Sequence, residues 1–374
     1  MIPINKKFEI VVPTLFGIEA ITANEIRKLG YNTNCVEDGR VTFEGDFEAV
    51  CRANVWIRTG ERVLIKIGSF KAVTFDELFE GCKALPWADW IPKDGAFPVK
   101  GFSVKSALFS VSDCQSIIKK SIVDSLSAVY GIKMFAETGV KYQIEFAIIR
   151  DTVTLMIDTS GGGLHKRGYR VQSNLAPVKE TIAAALVILS RFSYNGSFAD
   201  PFCGSGTIPI EAALVAKNIA PGLRREFAAE AFIPQKLWTE AREEGKSLIK
   251  HDSKIKILAS DIDDYAAKAA MANCKVAGVD DVMSVSVKPV KDFHSTESRG
   301  TIVCNPPYGE RLSDIAGCED LARQMRAVYD RLDKWSLCAL TSLETFEAAF
   351  GKPANKRRKL YNGMIKCNFY QYFQ

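Results

Sequence analysis

From residue 171 onward, strand-like and helix-like stretches follow one another in regular turn, and this alternation constrains the fold more than any other feature. A helical pattern covers 178–191, a strand ends at Asp200, and a helix starts at Ile208. Then come the strand ILASD, a helix over 263–277, the strands VSV and TIVCN, and a helix over about 318–332. The strand LCALTS and a final pair around RKLYN and IKCNFYQYF follow. Repeated β-then-α order predicts a parallel, doubly wound sheet with its ligand crevice at the strand ends. The first 160 residues are built differently. They carry FEIVVP, the helical run GIEAITANEIRKLG with Gly30 as its stop signal, and GRVTFEG. RVLIKIGSF, a helix around FDELFEGCKAL, FSVKS, a helix over Asp113–Tyr130, YQIEFAII and TVTLMID follow. Such interleaving without a phosphate loop suggests small α+β binding units. Gly161-Gly162-Gly163 marks the composition shift between the two regions. The expected units are 1–60, 61–160 and 161–374, as suits a chain of 374 residues, too long for one typical core.

Composition removes several classes. Hydrophobic residues at 47% and charged residues at 25% exclude wholesale disorder and fibrous structure. The apolar run Ile182–Leu189 falls far short of the roughly 18–20 residues of a membrane span. Glu9 interrupts the place where a secretory leader needs apolar residues. Ten scattered cysteines without a CxxC pair, and three histidines, argue for a reducing compartment, no disulfide framework and no metal site. A cytoplasmic, metal-free, non-membrane protein is expected. Its oligomeric state is open. Net charge is +5 overall, yet residues 1–160 hold 19 basic against 20 acidic side chains. If nucleic acid is bound, local patches must do it.

The turn Asp200-Pro201-Phe202-Cys203-Gly204-Ser205-Gly206-Thr207 lies between a strand and the helix beginning IPIEAAL, where a doubly wound sheet places its ligand. Two glycines let backbone approach a ligand closely. The spacing is not G-x-G-x-x-G, and Asp200 at the strand end would repel a pyrophosphate. A carboxylate there favours a cationic ligand, and S-adenosylmethionine carries both an ammonium and a sulfonium. The next strand ends at Asp261-Ile262, where Asp261 is placed either to accept from a ribose diol or to cap the helix near Asp263. An insertion of about residues 218–254 separates the two motifs. Asp292-Phe293 offers a carboxylate for an adenine amine and a ring for its face, or is simply a loop acid and its neighbour.

The strand TIVC runs into Asn305-Pro306-Pro307-Tyr308. Two prolines stiffen the corner and restrict the residue before them. A stiff corner suits two acceptors at set positions, the Asn305 side-chain oxygen and the Pro306 carbonyl, which together receive both hydrogens of an exocyclic amine. That aims the nitrogen lone pair and stabilises the developing positive charge. Tyr308 is placed to stack on a base presented unpaired or flipped from a helix. A covalent route would need a cysteine thiolate. Cys203 and Cys304 sit in this region but more readily pack as small apolar groups. Glu211, on the helix after the glycines, is read as structural.

Together these motifs resemble the THUMP-containing class I methyltransferases, those like the 23S rRNA guanine-N2 methyltransferase RlmL and its shorter bacterial relatives, often labelled N6-adenine-specific DNA methylases. The likeness covers essentially the whole chain: FKAVTFDELFEGCKALPW and SVKSALFSVSDCQSIIKKSI match THUMP segments, and TSGGGLHKRGYR matches the linker. APVKETIAAAL, DPFCGSGTIPIEAAL, SDID, NPPYGERL and RKLYNG match the catalytic region. The resemblance implies an α/β fold: a ferredoxin-like piece and a THUMP RNA-binding domain before a Rossmann-like domain using S-adenosylmethionine. It implies that Asp200, Gly204, Gly206 and Asp261 bind cofactor and that Asn305, Pro306 and Tyr308 hold the target base. Val287-Lys288-Pro289 departs from the family, which often has an acid here, leaving Asp292 as the nearest substitute. A second methyltransferase domain, present in the long fused forms, is missing, so a single modification is expected.

The implied reaction is methyl transfer to an exocyclic amine in structured RNA, with guanine N2 in 23S rRNA first. Adenine N6 in RNA or DNA, guanine N2 in tRNA and a non-catalytic RNA-binding scaffold are the alternatives. For RNA contacts, Lys105, Lys119 and Lys120 stand out in the THUMP-like segments, against the reading of a solvated helix face. Lys166, Arg167 and Arg170 sit at the junction beside Tyr169, as phosphate contacts or as a plain linker. Lys356-Arg357-Arg358-Lys359, before the terminal strands, either flanks the catalytic mouth or is a charged turn, and the charged turn is preferred.

Overall fold

The computed structural model describes residues 3–172, 178–194, 196–308 and 312–374. The runs APVKETIAAAL and NPPYGERL extend over residues 176–177 and 309–311, which lie outside the described residues. In chain order the first region holds β1 (Phe8–Pro13), α1 (Glu19–Lys28), β2 (Thr33–Glu37), β3 (Arg40–Gly45), α2 (Phe47–Trp56), β4 (Leu64–Lys71), α3 (Phe75–Lys83), α4 (Trp87–Trp90), β5 (Val99–Val104), α5 (Val111–Tyr130), β6 (Ile144–Ile149) and β7 (Thr152–Asp158). One seven-stranded sheet, ordered β2-β3-β1-β4-β7-β6-β5, runs through all of it. Only β5 and β6 pair in parallel. β1 meets β4 over just Ile10↔Ile65 and Val11↔Leu64, so the expected units 1–60 and 61–160 are joined edge to edge through this short seam.

Local chemistry sets the helix starts. Asp46 accepts from the Ala49 amide at 3.1 Å to open α2, and Thr74 with Glu77 forms a reciprocal capping box at α3. The sequence pattern predicts neither α2 nor β2. Seven of the ten α2 residues are buried, which erases the polar face that periodicity needs, and β2 is a mostly exposed edge strand.

The second region follows the predicted alternation. It comprises α6 (Glu180–Leu189), β8 (Ser197–Asp200), α7 (Thr207–Ala216), α8 (Gln235–Ser247), β9 (Lys256–Asp261), α9 (Asp264–Ala277), β10 (Met283–Val287), β11 (Gly300–Cys304), α10 (Leu312–Arg331), β12 (Trp335–Thr341), α11 (Phe346–Phe350), β13 (Lys356–Asn362) and β14 (Ile365–Tyr372). The sheet order is β10-β9-β8-β11-β12-β14-β13. β8 to β12 run parallel, and the closing β13–β14 hairpin is antiparallel. Apolar clusters on the two faces, one around Phe198 and Leu340 and one around Ile302 and Trp335, sandwich this sheet between helices.

The insertion after α7 leaves the second sheet and packs on the first region. Trp238 and Phe227, stacked with ring centroids 5.0 Å apart, join the core built by α2 and the first sheet. Arg52 of α2 grips Glu244 of α8 at 2.7 Å. The Gly222 amide donates to Val55 O at 2.9 Å, and a Cβ at Gly222 would come within 2.7 Å of the Val55 Cα, so this contact requires glycine. Among the described residues no helix is long and apolar enough to cross a membrane.

Candidate active site

The strand order fixes where a ligand can sit. Chain connections leave β8 toward β9 on one side, while β11 lies on the other, so a crevice opens at the C-terminal ends of these strands. A cleft of about 620 Å3 occupies that position. The glycine turn, Asp261-Ile262 and the corner Asn305-Pro306-Pro307-Tyr308 all line it. The two motifs, about a hundred residues apart in sequence, share one cavity.

The turn after β8 is held from below. Gly206 takes φ +86° and caps α7, and a Cβ there would press on Ala270 of α9 at 3.1 Å. Asp261 Oδ2 accepts from the Gly204 amide at 2.9 Å, while Oδ1 accepts from the Asp263 amide at 3.0 Å. The helix cap is Asp263, which accepts from Tyr265 N, so Asp261 stitches the glycine turn to the end of β9 instead. Asp200 is buried at the tip of β8. Its Oδ1 accepts from the Phe202 amide at 3.0 Å, and its Oδ2 is shielded from solvent with no hydrogen-bond partner. Burial pushes the Asp200 carboxyl well above the usual range, and the Asp261 carboxylate adds to the push. A cation in the cleft would satisfy both. Cys203 and Cys304 are buried and their thiols are driven upward by desolvation, which disfavours the thiolate that covalent catalysis needs.

Across the cleft, β11 ends at Cys304 and the proline corner begins. The Tyr308 hydroxyl donates to Asn305 Oδ1 and accepts from Asn362 Nδ2, the latter at 3.3 Å. Burial raises the Tyr308 phenol, so it stays a neutral donor. In this conformation Tyr308 satisfies the acceptor that the sequence reserves for a substrate amine, and its ring leans on the apolar cluster of the sheet.

Several expected residues lie elsewhere. Phe293 is buried in the core, edge-on to Trp335 at 6.1 Å, and Asp292 is exposed outside the cleft lining. Its apolar ring is worth more packed under the sheet than against a ligand. Pro289, Val290 and Lys291 line the cleft in their place, facing Leu321 and Gln324 of α10. Arg167 is only 3% exposed. It donates to the carbonyls of Arg58 and Leu164 and to Glu211 Oε1, so it pins the linker and is withdrawn from any RNA contact. Glu211 is wholly buried, accepts from Tyr169 as well and does not line the cleft, in keeping with a structural role. Arg170 is likewise spent, on Glu180 Oε1 at 2.9 Å, Thr207 Oγ1 at 2.9 Å and Ser205 Oγ at 3.3 Å. It braces the glycine turn from behind. Lys119 is engaged by Glu137 and lies over the Phe97 ring at 3.5 Å. Lys105, Lys120 and Lys166 remain exposed.

Other functional neighbours escape a reading of motifs. Buried Asn273 on α9 accepts from the Val171 and Gln172 amides and donates to Ser205 O at 2.9 Å, tying the linker to the turn. No local signal marks it. Asn362 and Ile365, at the tip of the β13–β14 hairpin, also line the cleft; Asn362 falls within the run RKLYNG, and Ile365 lies two residues beyond it.

Comparison with known proteins bears on this architecture. Residues 167–371 match the family model described as RMKL-like, methyltransferase domain. Residues 9–64 match the RlmL ferredoxin-like domain, and 72–158 match the THUMP domain. The Bacillus subtilis protein "Putative RNA methyltransferase YpsC" is 48% identical over 98% of this chain and 96% of its own length. The ribosomal RNA large subunit methyltransferase K/L of Marinobacter nauticus is 31% identical over 93% of this chain. The chain spans about half the length of that relative, 50%. The solved structure of SMU.472, complexed with SAH, superposes with a TM-score of 0.93 at 39% identity, covering 98% of both chains. With the family model matching more than half its length, the chain belongs to the RMKL-like methyltransferase family.

Proposed function

We propose that this chain transfers a methyl group from S-adenosylmethionine to an exocyclic amine of a base in structured RNA, with guanine N2 of large-subunit ribosomal RNA as the target. One observation carries the reading: Asp200, with its buried and partnerless carboxylate oxygen, and the stiff Asn305-Pro306 corner line a single cleft. The residues fit the cofactor. Asp200 holds the ammonium, the Gly204 and Gly206 turn admits the chain close to backbone, and Asp261 accepts from the ribose. Ile262, 72% exposed beside the cleft, gives the adenine an apolar rest. When bound, S-adenosylmethionine supplies an electrophilic methyl group.

The chain's own part is positioning and electrostatics. Asn305 Oδ1 and Pro306 O receive the two amine hydrogens, which aims the nitrogen lone pair toward the methyl. The incoming amine takes over the acceptor that the Tyr308 hydroxyl now occupies, and the released ring then stacks on the base. The amine attacks first and loses its proton afterwards, so no strong base is required. Residues 1–60 and 61–160, sharing one sheet, form the RNA platform, and 161–374 carries the chemistry. The RNA substrate is supported by the THUMP match and by the ribosomal RNA methyltransferase relatives.

Incubating the protein with labelled cofactor and either bulk RNA or ribosomal precursors, then analysing nucleosides, tests this. N2-methylguanosine in 23S rRNA is the expected product. Absence of label in any RNA, with cofactor binding verified by calorimetry, refutes the reading. A corner that accepts two N–H groups serves any exocyclic amine, so N6-methyladenosine in the same assay would replace guanine by adenine.

A further inference from the structure

Five cations crowd a short stretch near the hairpin: Lys356, Arg357, Arg358, Lys359 and Lys366, all exposed. The sequence reads the first four as a charged turn, yet they form the outermost strand of the catalytic sheet. Register sets Arg357 opposite Tyr370, Lys359 opposite Asn368 and Tyr361 opposite Lys366. Cross-strand partners share a face, so Arg357, Lys359 and Lys366 stand on one side, at neighbour or diagonal positions about 7–8 Å apart. There they line a concavity of about 450 Å3 together with Asn368, Tyr370 and the acid Glu344. Among the described residues none of the three takes part in an ion pair. This contrasts with Arg167, Arg170 and Lys119, whose charges are all used inside the fold.

Like charges side by side on a sheet cost stability unless something compensates them. Charges on an edge strand also discourage edge-to-edge pairing. That duty, however, needs neither one sign of charge nor a shared concavity. The other end of the same ribbon gives the patch its place: Asn362 and Ile365, on the opposite face at the tip, line the catalytic cleft, and Asn362 donates to Tyr308, so the basic face flanks the cleft instead of lining it. At about 3.3 Å per residue, Lys359 lies about 10 Å from that tip. Met364, at the turn, is 99% exposed.

We propose that the β13–β14 hairpin is a phosphate-binding arm, which grips the RNA backbone beside the nucleotide whose base enters the cleft, through Arg357, Lys359 and Lys366. The proposal rests on the RNA-methyltransferase reading above and adds to it the surface that delivers the strand. Phosphate contacts position a nucleic acid without reading its sequence, and their signature is salt dependence.

The test replaces all three by alanine in the full chain and measures binding to a 23S rRNA transcript across a range of salt. Each contact to single-stranded RNA contributes about 0.7 to the slope of log affinity against log salt. The slope should therefore become shallower by about 2, and affinity at 0.1 M salt should fall about 100-fold. S-adenosylhomocysteine binding should be unchanged, showing an intact fold. With saturating RNA, kcat should stay within about twofold while KM rises with the loss of affinity. A control that removes Lys236, Lys246 and Lys254 from the insertion strips the same charge. Unchanged slope and affinity in the hairpin variant overturn the arm, as does an equal loss in the control. A wild-type chain that takes up no RNA overturns the parent reading as well, and is told apart because it shows before any substitution is made.

Discussion

Asp200→Asn separates what this buried carboxylate does for the ligand from what it does to the fold. The substitution keeps Oδ1 as acceptor for the Phe202 amide and turns the partnerless Oδ2 into an N–H donor on a residue that lines the cleft. For a cationic ligand this removes a charge-assisted hydrogen bond at a desolvated site, a loss of about 2–3 kcal/mol. Calorimetry with S-adenosylhomocysteine should show Kd weakened about 30- to 150-fold. In wild type, affinity should climb with pH until the raised Asp200 carboxyl of the free protein ionises, because the ligand prefers the charged form. Without ligand the effect on stability has the opposite sign. The folded state holds the Asp200 proton more tightly than the unfolded chain does. The stability gained this way is full below the unfolded value near 3.8 and is lost as pH rises through the raised folded value. Asparagine suffers no such loss, so denaturant titration of ligand-free protein should find the variant more stable than wild type above that range, with the difference vanishing in acid. A variant that binds within threefold of wild type, or a stability difference flat in pH, would refute the electrostatic role assigned to Asp200.

Asn305→Ala should lower methyl transfer about 10²–10³-fold while leaving S-adenosylhomocysteine affinity within about threefold, because the lost acceptor serves the amine and not the cofactor. Tyr308→Phe should keep kcat/KM at or above the wild-type value, since the hydroxyl that now occupies Asn305 must leave for the substrate. Tyr308→Ala should lose the stacking contribution of about 1–3 kcal/mol, and an equal loss in both variants would remove the ring's role. Arg167→Ala should cost about 3–5 kcal/mol in denaturant unfolding, because it strands the buried Glu211 carboxylate. The salt slope of RNA binding should not move in that variant, and a drop of about 0.7 would restore Arg167 as a phosphate contact.

The catalytic sheet was legible because its strands and helices alternate in separate stretches, each with a clean period, and because Asp200 and Asn305 stand where such strands end. What stayed hidden depends on contacts between distant segments. The α2 segment shows no amphipathic face because α8 of the insertion covers the side that would otherwise be polar. Arg167 and Arg170 look like free cations in a basic linker, but their partners Glu211 and Glu180 come from helices that only folding brings near. Phe293 follows an exposed acid and resembles a ligand contact, yet the tight turn over Val290–Asp292 sets it inward against Trp335. The four cations at 356–359 read as a turn because consecutive charges carry no strand signal; the apolar alternation of β14 decides their geometry by pairing.

The insertion clasps the two regions together. Parting the methyl-transfer half from the platform would break the Gly222–Val55 amide bond, release the Arg52–Glu244 pair and uncover Trp238 and Phe227. Each ring alone is worth about 2 kcal/mol or more of burial. On the RNA-methyltransferase reading proposed above, the span from the platform to the proline corner is a calliper with locked jaws, and a nucleotide is chosen by how far it lies from whatever feature of the RNA the platform grasps.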